Sequence, residues 1–266
     1  MNEAILTGLL ESGTDPADIV ATVRRAERAA ELAERHPGIT AIAGEEEPDN
    51  NKDAARGSAV VILGVKPVGI TALAREISPS LSPSTIVMSV AAAVSIAQLE
   101  AALPAGQPVI RTMPNTPAKL GRGVVSVSPG ANSSPHQQLQ LAKDILRGAG
   151  TVVEVPEEQV DALGAISGSG PAYAFYLAEA MAAAGVRLGL DPELSLLLAK
   201  ETVAGAGLML AEPGANPTQL RQAVTSPNGT TERAIATFDE RDLPSIIAEG
   251  ARAAAERAAE ITKQLA

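Results

Sequence analysis

The sequence predicts two architectures in one chain: an α/β part over residues 1–156 and an all-helical part over residues 157–266. Three observations predict this. Short β-branched runs alternate with helical patterns through the first part and then stop. Continuous apolar runs such as AVVILGV (59–65) fit strands buried on both faces, the mark of a parallel sheet covered by helices. The second part is Ala/Leu-rich, and its first two long helical segments are apolar or small around most of their circumference.

Taken in order, Ala4, Ile5, Leu6, Leu9 and Leu10 recur at helical spacing, and Gly13 follows where a helix would stop. Strands are expected at IVATV (19–23), ITAI (39–42), AVVILGV (59–65), TIVMSV (85–90), PVIRTM (108–113), VVSVS (124–128) and TVVEV (151–155), with helical segments between several of them. EEEPDNN (45–51) reads as a solvated acidic turn. Past residue 157, long helices are expected in PAYAFYLAEAMAAAGVRLG, DPELSLLLAKETVAGAGLMLAE and DLPSIIAEGARAAAERAAEITKQL. Pro171 and Pro192 fall in first turns, where proline is tolerated. The C-terminal part alone can hardly bury two helices that are apolar all round. A subunit interface is therefore expected; an ordinary compact helical domain is the alternative.

Composition excludes several kinds of chemistry. With no cysteine, the chain has no disulfide, thiolate metal site or Cys nucleophile. Its two histidines, His36 and His136, lie in polar turn-like contexts, which argues against a His-centred triad or a multi-His zinc site. No metal is expected. A net charge of −10 argues against nucleic acid or an anionic membrane as the main partner. No apolar run reaches the roughly 18 residues of a membrane span, and no signal peptide is evident, so a cytoplasmic protein is expected.

Five stretches could carry chemistry. In IVATVRRAER, a strand end is followed by Arg24 and Arg25 with no acidic residue. In a dinucleotide-binding fold that position meets the adenosine ribose, and arginine there suits the 2′-phosphate of NADP; a solvated basic first turn is the alternative. In LGVKPVG (63–69), a buried strand ends in Gly-Val-Lys-Pro, at the carboxyl end where open α/β sheets bind ligands. Lys66 there is either structural or a phosphate or ribose contact. In RTMPNTPAKLGRG (111–123), two prolines hold Asn115 and Thr116 in a rigid loop, either to present them to a ligand or to stiffen a crossover.

In VTSPNGTTERAIATF (224–238), a tight turn at Ser226–Gly229 opens into a helix with Thr230, Thr231 and Glu232 in its first turn. Free N–H groups and hydroxyls converge there, which makes an anion site for a carboxylate or phosphate; a plain helix cap is the alternative. In GAISGSGPAYAF (164–175), the glycines follow no strand and do not match G-x-G-x-x-G, so they read as a flexible lead-in to the longest helix at the domain junction.

Read in order, MPNTP, GSGPAY and VTSPNGTT, with VKP upstream, resemble the pyrroline-5-carboxylate reductase family over essentially the whole chain. The resemblance implies a Rossmann-like N-terminal domain and an all-α C-terminal domain that interlocks with a partner subunit. The homodimers would assemble further into a ring. It implies hydride transfer from NAD(P)H to the C=N bond of 1-pyrroline-5-carboxylate, giving L-proline. By similarity, the backbone of the turn from Ser226 through Gly229 and Thr230 to Thr231 would grip the substrate carboxylate. The Thr231 hydroxyl would face the ring nitrogen as hydrogen-bond partner and proton relay. Asn51 would contact the adenosine ribose, and Val65, Lys66, Pro67, Ala91 and Ala92 would run along the cofactor. Arg24 and Arg25 match the family's 2′-phosphate position, which favours NADPH over NADH.

Two departures from the family pattern are visible. Asn228 stands where the family's turn usually has glycine, a mild change because Asn tolerates left-handed backbone. Family members also begin with a strand and a G-x-G-x-M loop. Met1–Ile5 aligns with the end of that loop and the helix after it, so the first strand and glycine loop are expected to be missing from this sequence. An active reductase with its start upstream is the favoured reading. The alternatives are a catalytically impaired truncated homologue acting as an oligomer partner, or a β-hydroxyacid-dehydrogenase-type NADP oxidoreductase. The last is disfavoured because GPAYAFYLAEAMAAAG lacks the lysine that class uses.

Overall fold

Every expected strand forms. The computed structural model describes residues 1–134 and 136–264. Helix α1 (Asn2–Glu11) opens the chain, followed by β1 (Val20–Val23), α2 (Ala26–Arg35), β2 (Thr40–Ala43) and α3 (Asn50–Ala55). Then come β3 (Val60–Leu63), α4 (Pro67–Ile77), β4 (Ile86–Ser89), α5 (Ile96–Ala102) and β5 (Val109–Pro114). The α/β part ends with β6 (Gly123–Pro129), α6 (Gln138–Leu146), β7 (Gly150–Glu154), the short α7 (Val160–Leu163) and a π-helical turn at Gly164–Gly168.

The sheet is in two pieces. β1 and β2 pair parallel as a two-stranded sheet, and β3-β4-β5-β6-β7 form a five-stranded one. Among the described residues no strand pairs with the other edge of β1 or of β3. Within the larger sheet, β5 and β6 run antiparallel, against the expectation of a parallel sheet. The cause is the length of their connection. Residues 115–122 hold one 3-10 turn that ends at Gly121 with φ +64, too little chain for the dozen or more residues of a parallel crossover.

Helices cover both faces of the larger sheet. Ile70, Ala74 and Ile77 of α4 and Leu99 of α5 pack on Val87 and Val109 from one side. Ala4 and Ile5 of α1, with Leu139, Ala142 and Leu146 of α6, pack on Met88, Ile110, Val125 and Val127 from the other. Leu6 of α1 enters a separate core with Leu32 of α2 and Ile39, alongside Ala21, Val23 and Ala41. One helix therefore belongs to the cores of both sheets and joins them. It can lie this close because Gly8 meets Gly148 backbone to backbone; a Cβ on Gly8 would sit 2.6 Å from the Gly148 carbonyl carbon.

Charge fixes the same helix to α2. Glu3 pairs with Arg28 at 2.5 Å and Arg35 at 2.6 Å, and lies 3.3 Å from His36 Nε2. Partial burial pushes the Glu3 carboxyl up, but hydrogen bonds with Arg28 and His36 and the charges of Arg28 and Arg35 outweigh it, leaving it below the ordinary 4.5. A carboxyl depressed by folding contributes stability above its unfolded value and loses it as pH falls through the folded one. Glu3→Gln is therefore expected to cost about 1 kcal/mol at neutral pH. In melting curves the gap to the parent should close as the pH drops below about 4.5. A gap that persists undiminished in acid would contradict this role.

The contacts divide the chain into Met1–Gly168 with the segment from Ala255 onward, and Ser169–Ala254. The second unit thus begins past the 156/157 position suggested by the change in sequence pattern. Its helices are α8 (Gly170–Arg187), α9 (Pro192–Leu210), α10 (Pro217–Ala223) and α11 (Thr230–Glu240); α12 (Leu243–Gln264) follows. The segment before α8 is the ordered π-helical turn rather than a flexible lead-in, and α12, not α8, is the longest helix described. Asp191 caps α9 by accepting from Glu193 and Leu194 N–H groups. Gly185 lets α8 and α9 close up, since a Cβ there would lie 2.7 Å from Ser195 Oγ. α8 buries no side chain and α9 buries only Ser195 and Ala199 among its residues. Phe175, Tyr176, Leu208 and Met209 stand 68, 71, 63 and 54 % exposed. Exposed apolar surface on this scale marks a protein interface.

Candidate active site

Two groups of candidate residues emerge, one in each unit. The first lines strand ends. β3, β4 and β5 are parallel, so their carboxyl ends share one edge. After β3 the chain runs through Gly64, exposed Val65 and exposed Lys66; Lys66 is the N-cap of α4 and Pro67 its first residue. After β4, Ala91 is buried with its N–H donating to Ser89 Oγ at 3.3 Å, Ala92 is exposed, and Ala93 takes φ +61. A buried non-glycine residue held left-handed is costly, by about 1–3 kcal/mol, and such strain gathers at functional sites.

Helix α1 begins beside this edge. Its Asn2 Nδ2 donates to Gly64 O at 3.0 Å, and a Cβ on Gly64 would overlap that amide. Met1, the N-cap, makes no side-chain capping bond, and the positive end of this ten-residue helix lies at the end of β3. Helix amides beside a glycine at a strand end fit the phosphates of a dinucleotide.

Arg24 and Arg25 are exposed at the end of β1. Asn51 lies in the first turn of α3, and its Nδ2 donates to Glu76 Oε1 at 3.0 Å. The acidic stretch 45–51 is less of a plain turn than expected. Its Glu45 Oε2 accepts from Ala26 N, at the start of α2, and its last two residues begin α3. Asn115 does not present its amide to a ligand. It is buried, donates to Ser167 O at 2.8 Å and accepts from Val124 N at 2.9 Å, so the loop is stiffened for structure.

One ionised residue escaped the sequence reading. Arg111, in the middle of β5, is 6 % exposed and pairs with Glu157 at 3.0 Å and Asp161 at 3.7 Å. Glu157 Oε1 also accepts from Ile96 N at 2.7 Å, the first residue of α5. The signal was a charge inside the apolar run PVIRTM.

The second group is the junction before α11. Gly229 N donates to Ser226 O at 3.0 Å, closing the turn, and Asn228 takes φ +58, the left-handed backbone expected of it. Gly229 is the N-cap and offers no side chain. Glu232 Oε2 accepts from Asn228 N at 2.7 Å, so that N–H is engaged within the turn and drops out of the expected backbone grip. Among the described residues, the N–H groups and hydroxyls of Thr230 and Thr231 have no partner. Four donors thus stand in the first turn, at the positive end of an eleven-residue helix.

Comparison with known proteins decides the family. A pyrroline-5-carboxylate reductase dimerisation profile matches residues 157–261, and an NADP oxidoreductase coenzyme F420-dependent profile matches residues 1–93. A pyrroline-5-carboxylate reductase of Corynebacterium melassecola is 39 % identical over 266 residues, covering 99 % of this chain and 96 % of the relative. One from Pseudomonas aeruginosa is 38 % identical, covering 100 % and 94 %. The chain belongs to the pyrroline-5-carboxylate reductase family.

The solved structure of a pyrroline-5-carboxylate reductase from Coxiella burnetii superposes with a TM-score of 0.89 at 34 % identity, covering 98 % of this chain and 94 % of that one. A Rossmann-like N-terminal part and helical C-terminal part are thus the fold of a pyrroline-5-carboxylate reductase. The dehydrogenase alternative is not favoured, and α8 carries no lysine. The family's dimerisation region covers α8 and α9, whose apolar side chains stand exposed in the single chain, and the ordinary compact helical domain gives way to a dimerising one. Leu208→Glu is therefore expected to weaken the dimer by about two orders of magnitude, since one buried leucine contributes about 1.5–3 kcal/mol and a buried carboxylate costs more. Light scattering during size-exclusion chromatography reads this directly, and an undiminished dimer would rule Leu208 out of the interface. No described helix is long and apolar enough to cross a membrane.

Proposed function

We propose that this chain is an NAD(P)H-dependent oxidoreductase that reduces the C=N bond of 1-pyrroline-5-carboxylate to give L-proline, the last step of proline biosynthesis. The observation that carries the reading is the array of four unpartnered donors on Thr230 and Thr231, in a chain of this family. A carboxylate bound there replaces the missing N-terminal cap of α11 and is stabilised by the helix dipole. The Thr231 hydroxyl then reaches the ring nitrogen as its hydrogen-bond partner and proton relay. Bound NAD(P)H supplies the hydride.

An imine protonates readily, and its cation accepts hydride without a strong catalytic acid. The protein's task is to hold two rings in contact and exclude water. This accounts for a site with no His, Cys or carboxylate pair. Thr231 is the catalytic residue; Ser226, Gly229 and Thr230 shape the carboxylate site. Val65, Lys66, Pro67, Ala91 and Ala92 run along the cofactor, and Asn51 turns from Glu76 to the adenosine ribose. Arg24 and Arg25 bind a 2′-phosphate, so NADPH is preferred over NADH. The dimers assemble further into a ring, and the enzyme works in the cytoplasm.

Oxidation of NADPH by the chain, dependent on added 1-pyrroline-5-carboxylate, tests the activity. Oxidation at the same rate without substrate, or none with either cofactor, would contradict it.

A further inference from the structure

The acidic loop after β2 has no part in the mechanism above, yet its first residue reaches the position proposed for the 2′-phosphate. Gly44 N donates to Val23 O at 2.8 Å and Glu45 N to Arg24 O at 3.2 Å, so the pairing of β1 with β2 continues past both strands. That continuation sets the Glu45 side chain over the start of α2, where Oε2 accepts from Ala26 N at 3.4 Å. Ala26 is the first residue of this ten-residue helix, and its N-cap, Arg25, makes no capping bond of its own. A carboxylate from a neighbouring loop therefore occupies the positive end of α2, directly after the exposed Arg24 and Arg25.

We infer that Glu45 determines cofactor specificity: its carboxylate accepts from the adenosine ribose hydroxyls of NADH and opposes the 2′-phosphate of NADPH. The inference rests on Arg24 and Arg25 marking the 2′-phosphate position. A ribose diol donates hydrogen bonds to a carboxylate. A phosphate donates none when ionised, carries like charge, and competes for the same Ala26 N–H. The arginines and the glutamate thus pull in opposite directions, and Glu45 holds down the preference that the arginines create. The contact is open to solvent, so its displacement is a local side-chain movement.

The test measures dissociation constants of adenosine 2′,5′-bisphosphate and AMP by calorimetry, alongside kcat/KM for NADPH and NADH. The full chain is compared with Glu45→Gln, Glu46→Gln and the Arg24→Ala/Arg25→Ala double variant. Glu45→Gln keeps an acceptor for Ala26 N but removes the charge. It is expected to raise the preference for the bisphosphate over AMP, and for NADPH over NADH, by about tenfold. Glu46→Gln removes the same charge one residue away and is expected to shift both by less than about threefold. No shift in Glu45→Gln, or equal shifts in the two variants, overturns the inference. If the double arginine variant lowers the preference while Glu45→Gln leaves it, the phosphate position stands and the role of Glu45 falls. If neither variant moves it, the phosphate position itself is wrong and the inference falls with it.

Discussion

Thr231→Ala is expected to lower turnover by about 100-fold while NADPH binds as tightly as before. The Thr231 hydroxyl has both a proton to give and a lone pair to accept one, as do the hydroxyls of Ser226 and Thr230 near it, and it is the one that the proposed mechanism sets against the ring nitrogen. Its backbone N–H survives the substitution, so the substrate carboxylate keeps most of its grip and KM should rise only modestly. Thr231→Ser restores the hydroxyl and should recover most of the turnover. Thr230→Ala, one position away, should act mainly on KM. Stopped-flow turnover and equilibrium cofactor binding separate these effects. Unchanged turnover in Thr231→Ala would remove the hydroxyl from the chemistry, whatever happened to KM.

Arg111→Met is expected to destabilise the N-terminal unit by about 3 kcal/mol. The arginine is nearly fully buried in β5, while Glu157 and Asp161 are 31 and 34 % exposed. Removing it leaves two carboxylates facing each other across a site built for a cation. Glu157 also holds the start of α5 through Ile96 N, so the loss reaches a helix that covers the sheet. The exposure of the two carboxylates limits the penalty, because water can solvate them in part. Adding Glu157→Leu to Arg111→Met should recover part of the loss, since a buried pair replaced whole by apolar groups is often neutral. Urea unfolding measures both. A change below about 0.5 kcal/mol for Arg111→Met would mean that the pair contributes nothing net.

Much of this was legible in the residues. All the strands could be read because β-branched runs bounded by turn residues are too short for helices and suit a pleated sheet. Asn228 in left-handed backbone followed from its place after Pro227 in a tight turn. The antiparallel turn from β5 to β6 was not legible, because MPNTPAKLGRG reads as a stiff loop whichever way the next strand runs; only its length carried the answer. The Arg111 pair joins residues 46 positions apart, a separation at which local pattern says nothing about partners. Glu45 looked like any solvated acid, since its bond to Ala26 depends on how β1 and β2 align beyond their ends. Asn115 could be read either as presenting its amide to a ligand or as stiffening a crossover, and the expected backbone grip of the 226–231 turn included the Asn228 N–H; both groups are engaged by the fold itself. In these cases the residue type was informative, while the competing structural partner was set by tertiary contact.

The most direct measurement follows a labelled hydride. The chain is incubated with 1-pyrroline-5-carboxylate and NADPH carrying deuterium at the transferable position, and the product is analysed by mass spectrometry. The expected product is L-proline with a single deuterium on the ring carbon that is next to nitrogen and does not bear the carboxylate, formed one for one with oxidised cofactor. Cofactor oxidised without labelled proline would contradict it.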